Sequence, residues 1–293
     1  MSPSENNIKN SSIIISFDLE DFTFDILRNL GKETRTNFSA LDKCYELIST
    51  FSRDHLDGSR FTFFTTGTLA KEYPDLLKQI SNDGHEISSH YHFHDLMFLQ
   101  TEKEIEKNFD LSKEAIFRAC GKYPLGFRAP AFSIKPFNWK IFKLISKHFK
   151  YDSSFVLHQE DIPKFNKESY SIFQNGFHEF PIVTKKIFGN FNLKSGGTFF
   201  RLFPLKVINS VINHNLKNNF IPQIYLHPYD LLSKREFMVD YKSFISSNNV
   251  FPVSTIKYLR QHQWLSLNNK SSYSKLVSIS SSYKHMGTYS ELI

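Results

Sequence analysis

Two histidines four residues apart, His90 and His94, sit in Gly84-His85-Glu86-Ile87-Ser88-Ser89-His90-Tyr91-His92-Phe93-His94-Asp95, and an upstream apolar run ends in Ser16-Phe17-Asp18-Leu19-Glu20-Asp21. Imidazole nitrogens with carboxylate oxygens suit a borderline-soft divalent ion such as zinc. A helical turn or a compact loop brings both imidazoles to one ion. On a helix His92 faces away from its neighbours, which places it outside the ligand set. In an extended segment Asp18 and Glu20 point the same way, so one can bind the metal while the other stays free as a base. Asp21 competes as the acidic ligand if the strand has already turned.

Other polar residues follow apolar runs in the same manner. Arg128 lies in Phe127-Arg128-Ala129-Pro130, where the proline holds the segment extended, and its guanidinium can orient Asp18 and keep it ionised. His227, just before Pro228, can protonate a leaving group, with Asp152 holding its imidazole in one tautomer. Glu179 reads either as a contact to a substrate amino or hydroxyl group or as the partner of a rim lysine. Gly196 and Gly197 let a loop pass close to substrate, and a backbone N–H near Ala131 can hold an oxyanion. Assembled, these parts specify a hydrolysis: a water on the ion loses its proton to Asp18 and attacks a polarised carbonyl, and His227 protonates the departing nitrogen. The glycines match neither the dinucleotide nor the Walker pattern.

Strands are expected at 13–18, 60–67, 86–89, 126–130, 151–155, 177–181 and 221–228. Helical spacing marks 38–51, 71–82, 101–119 with Gly121 as its stop, 136–148, 205–216, and 241–260 around a loop at 248–251. Each candidate residue then falls at or near the C-terminal end of a strand, and in a barrel of parallel strands those ends converge on one face. Segments 157–176 and 188–200 read as rim loops. The expected organisation is a polar tail 1–12, an α/β barrel 13–265 and a polar extension 266–293 docked on it through Leu276, Val277 and Ile279.

With 293 residues, 40% of them hydrophobic and 31 of them Phe, the chain fills one large core, and wholesale disorder is excluded. Cys44 and Cys120 suggest no disulfide framework. No apolar run has membrane-spanning length and the first residues are polar, so a cytoplasmic protein without a transmembrane segment is expected. The net charge of +7 favours approach to anionic lipid or phosphate-bearing substrates. Nucleic acid is not expected as a partner, because no basic run is interleaved with a recognition element.

Five segments give the chain a family likeness: Ser16 to Asp21, Gly84 to His94, Phe127-Arg128-Ala129-Pro130, Tyr151-Asp152-Ser153-Ser154 and Leu226-His227-Pro228. Together they resemble the polysaccharide deacetylases, carbohydrate esterases with the NodB homology domain. The resemblance implies a distorted (β/α) barrel of seven parallel strands and one zinc-like ion held by His90, His94 and an acidic residue. It further implies Asp18 as base supported by Arg128, and His227 as acid partnered by Asp152. The family pattern has two adjacent aspartates; here Leu19 follows Asp18, which moves the acidic ligand to Glu20, with Asp21 as the alternative. The Asp-x-acid spacing is similar to a cytoplasmic and lipid-linked branch, and Glu179-Phe180-Pro181 with Gly196 to Arg201 is similar to a branch tied to surface-glycan loci.

The implied activity is removal of an acetyl or formyl group from the nitrogen of an amino sugar in a glycan, a nucleotide-linked precursor or a lipid-linked one at the inner membrane face. Two other readings stand beside it. One is a cyclic-amide or purine-breakdown amidohydrolase on the same barrel. The other is a non-catalytic glycan-binding relative, against which the joint presence of base, acid and ligands argues.

Overall fold

The strand β1 (Ser12–Leu19) is buried along its whole length, which is the signature of a central strand covered on both faces. The computed structural model describes residues 12–172, 176–187, 189–232, 236–245 and 252–293. The further strands are β2 (Thr62–Thr65), β3 (Glu86–Ser89), β4 (Gly126–Phe127), β5 (Tyr151–Asp152), β6 (Val156–Leu157), β7 (His178–Glu179), β8 (Ile182–Val183), β9 (Lys185–Ile187), β10 (Phe191–Leu193), β11 (Gln223–Leu226) and β12 (Lys284–His285). Seven of them run parallel in the order β11-β1-β2-β3-β4-β5-β7. All seven strands expected from the sequence are among them, and they form a distorted (β/α) barrel.

Register lines up the strand ends. Leu226 lies opposite Phe17, Phe64 opposite Asp18, Ser89 opposite Thr65, and Asp152 opposite both Phe127 and Glu179. Among the described residues no ladder joins β11 to β7; there the Gln223 amide donates to the carbonyls of Phe180 and Pro181, each at 2.8 Å. A side chain thus spans the gap that a backbone ladder would close.

Helices Phe38–His55, Glu102–Cys120, Trp139–His148 and Leu205–Lys217 lie where the 3.6-residue spacing put them. Glu102–Cys120 opens on a Thr101/Glu104 capping box and stops at Gly121, whose φ of 73° suits glycine. The stretch 71–82 belongs to two helices, Gly67–Glu72 and Pro74–Asn82, because Pro74 lacks an N–H to continue the first and takes the opening position of the second. The segments read as rim loops also carry structure: the helix Ile162–Ile172, the β9/β10 hairpin and the helix Gly197–Leu202. They are too short or too polar to show a period in the sequence.

The C-terminal segment enters the barrel. β12 pairs with β1, and the wholly buried Tyr289 stacks on Tyr151 at 5.5 Å between ring centroids. Residues 1–11 of the tail 1–12 and the loop 248–251 lie outside the described residues, while Ser12 already belongs to β1. Among the described residues no helix is long and apolar enough to cross a membrane.

Candidate metal and catalytic site

β1 delivers Asp18 to the rim and Glu20 follows directly after it, while His90 follows β3, its N–H donating to the Thr65 carbonyl at 2.7 Å. The chain then turns through Tyr91, at φ 71°, into a compact loop rather than a helix. That loop sets the His90 and His94 rings 5.5 Å apart. Glu20 Oε2 lies 2.8 Å from His94 Nε2 and 3.8 Å from His90 Nε2, and the three ligand atoms are all within 4.8 Å of one another. His92 packs toward Gly67 and is not among them.

The donor set fits a divalent ion. His90 Nδ1 sits 2.8 Å from the Arg128 carbonyl, and donating there leaves the Nε2 lone pair turned toward Glu20. Glu20 is fully buried, and neither carboxylate oxygen has a well-aligned hydrogen bond despite the short approach of His94. A carboxylate so placed is costly without a cation. Burial opposes its ionisation, yet His94, His227 and His90 together bring it down to about 2. Burial likewise pushes the His94 imidazole down, and the Glu20 carboxylate overrides this and lifts it to about 9. A proton on His94 therefore supplies the charge that a metal ion would supply.

Asp21, the alternative acidic ligand, is committed elsewhere. It accepts from the N–H groups of Thr23 (2.9 Å), Phe24 (3.4 Å) and Asn37 (2.6 Å), capping the helix Phe22–Asn29. The strand ends before it, so its side chain serves the helix and not the histidines.

Arg128 is the buried hinge between ligand and base. Its Nη1 donates to Asp18 Oδ1 at 2.6 Å and Ser16 Oγ at 3.1 Å, and its Nη2 donates to Ser153 Oγ at 2.9 Å and Tyr289 Oη at 2.8 Å. The guanidinium lies 4.0 Å from the Phe64 ring centre. Burial works against its charge, and Asp18 raises its pKa above the usual arginine value. Its carbonyl orients His90 and its guanidinium orients Asp18, so one residue spaces the two. Tyr289, 161 residues away, was not legible as a member of this network.

His227 is oriented by Asp230, and not by Asp152 as expected. Asp230 Oδ2 lies 2.8 Å from His227 Nδ1 and accepts the His227 backbone N–H at 2.9 Å, while Arg201 Nη1 stands 3.5 Å from Oδ1. Nε2 is thereby turned inward, 3.8 Å from Asp18 Oδ2 and 3.7 Å from Glu20 Oε1. Burial lowers the His227 pKa, but Asp230, Glu20 and Asp18 raise it above the ordinary value. The available signal was the acid three residues after a histidine, with proline at the first helical position, which is capping-box spacing. Replacing Asp230 by Asn is expected to lower turnover about 10–100-fold and to move the alkaline limb of the rate profile to lower pH, since His227 would lose its proton sooner. Rate–pH profiles of the two proteins check this.

Asp152 and Glu179 are paired with each other by the β5–β7 register. Asp152 accepts from Ser154 Oγ at 2.6 Å and Ser154 N at 3.0 Å, and Glu179 accepts from Phe155 N at 3.2 Å. Burial raises both carboxyls, Asp152 to about 6, and Glu179 is raised further by the Asp152 charge. Glu179 thus holds a proton against Asp152, and neither lines the cavity described below. This corrects Glu179 as a substrate contact along with Asp152 as the partner of His227. A carboxyl raised in the fold stabilises at acid pH and loses that contribution as pH rises. Glu179→Gln keeps the hydrogen bonds without the titration, so its melting temperature should match the parent's near pH 4.5 and exceed it by about 2–4 °C at pH 8.

Asp18, Glu20, His90, His94 and His227 line one cavity of about 560 Å³, whose wall also includes Ala131 and Gly197. Ala131 has φ 50° and Gly197 φ 55°. Gly197 is required there, since a Cβ would stand 3.0 Å from Tyr225 and 3.2 Å from His227.

Residues 50–148, which include His90, His94 and Arg128, match the family model described as polysaccharide deacetylase. This stretch of the chain is similar to the polysaccharide deacetylases. Residues 153–263, which include His227 and Asp230, match a second model, a domain of unknown function (DUF3473). The peptidoglycan-N-acetylmuramic acid deacetylase PdaA of Bacillus subtilis is 27% identical over 112 residues, 31% of this chain and 43% of that protein. A peptidoglycan deacetylase of Helicobacter pylori is 30% identical over 149 residues, 50% of this chain and 46% of that protein. The chain spans less than half the length of each of these relatives. Among solved structures, the polysaccharide deacetylase Bc1974 from Bacillus cereus is 16% identical with a TM-score of 0.43, over 96% of this chain and 93% of that one.

Proposed function

We propose that the protein is a metal-dependent hydrolase that removes the N-acetyl group of an amino sugar. The observation that carries this reading is the meeting of a carboxylate clamped by Arg128, a carboxylate among two imidazoles, and a third imidazole backed by Asp230 at one cavity. Glu20, His90 and His94 would hold a divalent ion, zinc by its N/O donor preference; when bound it supplies Lewis acidity toward an amide carbonyl and a water. Asp18, fixed by Arg128 through Oδ1, accepts the proton of the attacking water at Oδ2. His227, protonated at Nε2 and held at Nδ1 by Asp230, delivers a proton to the departing nitrogen. The backbone at Ala131 lines the cavity where an oxyanion donor is needed.

The names of the relatives support the substrate class: they act on peptidoglycan, peptidoglycan N-acetylmuramic acid and chitooligosaccharide. We extend the reading to precursors of surface glycans, nucleotide-linked or lipid-linked, met at the cytoplasmic face of a membrane. The helix Val253–Ser266 exposes Ile256, Leu259 and Trp264 beside Lys257 and Arg260 at the cavity mouth, a composition suited to an anionic lipid surface. Acetate release from N-acetylglucosamine oligomers and N-acetylated sugar phosphates by zinc-loaded protein tests the activity. Release that stops on chelation is expected; zinc bound at this site without release from any of them contradicts the reading.

A further inference from the structure

Among the described residues, three cations line the cavity: Lys257 and Arg260 belong to the helix at its mouth, and Lys194 stands apart from them and from the chemistry above. Lys194 follows β10 on the cavity wall, its Nζ 4.4 Å from the Phe132 ring centre. The segment bearing it is anchored on β11. Ser195 Oγ donates to the Gln223 carbonyl at 2.7 Å, and Gly196 and Gly197 press so close to Tyr225 that a Cβ at Gly196 would overlap the ring. The chain just after Lys194 is therefore held against Tyr225 and His227 rather than left on a free loop. Glycines at both positions are the cost of bringing this lysine to the wall.

Of the carboxylates lining the cavity, Asp18 is committed to Arg128 and Glu20 to the histidines, and burial raises the Asp25 carboxyl to about 7. Among the described residues Lys194 has no ion-pair partner, and burial with no nearby carboxylate to offset it brings its ammonium down to about 8. A charged amine kept in a substrate cavity at that cost, with one aromatic face as its neighbour, is matched to an anion that arrives with the ligand.

We propose that Lys194 anchors an oxyanion group, carboxylate or phosphate, carried by the amino-sugar substrate near its N-acyl group; the identity of the ligand rests on the deacylase reading above. The ammonium pairs with that group and fixes the sugar relative to Asp18 and His227, so anionic amino sugars are favoured over neutral ones. Loss of such a charged hydrogen bond lowers affinity by about ten- to a hundredfold.

The test measures binding and acetate release with three probes: N-acetylglucosamine, N-acetylmuramic acid and N-acetylglucosamine 1-phosphate. They are offered to the zinc-loaded parent, Lys194→Met and Lys194→Arg, with zinc content and melting temperature recorded for each. The parent is expected to bind one or both anionic probes at least about tenfold more tightly than the neutral one, the preferred probe showing whether the anion is carboxylate or phosphate. Lys194→Met should lose that preference with binding of the neutral probe unchanged, and Lys194→Arg should keep it. A parent without anion preference, or a preference that survives in Lys194→Met, overturns the proposal. Equal acetate release from all three probes by parent and Lys194→Met alike would remove the anion site and leave the deacylase reading standing. Anion preference lost in Lys194→Met, with no acetate from any probe, would support the anion site and remove the deacylase reading.

Discussion

Asp18→Asn is expected to keep its metal ion and to lose about 10²–10⁴-fold in turnover, the range that a general base contributes. Asn retains the Oδ1 acceptor that Arg128 Nη1 meets at 2.6 Å, so the buried guanidinium keeps its partner and the barrel keeps its fold. What disappears is proton-accepting capacity at the atom facing His227 Nε2, 3.8 Å away. Metal analysis and acetate release on the same preparation separate the two effects. Turnover equal to the parent's would remove Asp18 from the mechanism.

His90→Ala is expected to lose the ion, with an affinity drop greater than the roughly 10–100-fold that follows loss of a ligand's outer partner. The substitution deletes one of three donors and also frees the Arg128 carbonyl that orients the ring. Zinc titration measures it, and parent-like affinity would show the ligand set to be wrong. The same titration carries a pH signature. In the metal-free protein His94 is held protonated up to about pH 9 by Glu20, and an imidazole must be neutral to bind metal. Affinity should therefore rise with pH through neutrality, with release of a proton on binding, and level off above about pH 9.

The parts of the site legible from the sequence are those set by short-range chemistry. Asp18 and Glu20 share one side of an extended segment, His90 and His94 have ligand spacing, and Arg128 is stiffened by Pro130; each of these is a property of a few consecutive residues. The seven strands were legible because each apolar run ends in a polar residue at the rim. What failed to show depended on register and distance. Asp152 faces Glu179 because β5 and β7 pair at that position, and no local feature of either segment reveals this. Tyr289 reaches Arg128 only because β12 lies along β1. Asp230 was within reach of a sequence argument, since its spacing from His227 is that of a helix cap, but a cap and a catalytic partner look alike until the imidazole is placed. The loop through Tyr91 depends on a positive φ at a non-glycine residue, which the sequence does not announce.

The central claim is that Glu20, His90 and His94 grip one cation beside Asp18 and His227. Anomalous diffraction from crystals of the zinc-loaded protein, collected on both sides of the zinc absorption edge, tests it most directly. A single strong peak bonded to Glu20, His90 Nε2 and His94 Nε2 is the result this account requires. A peak at other residues, or zinc-saturated crystals with none among these three, would contradict it.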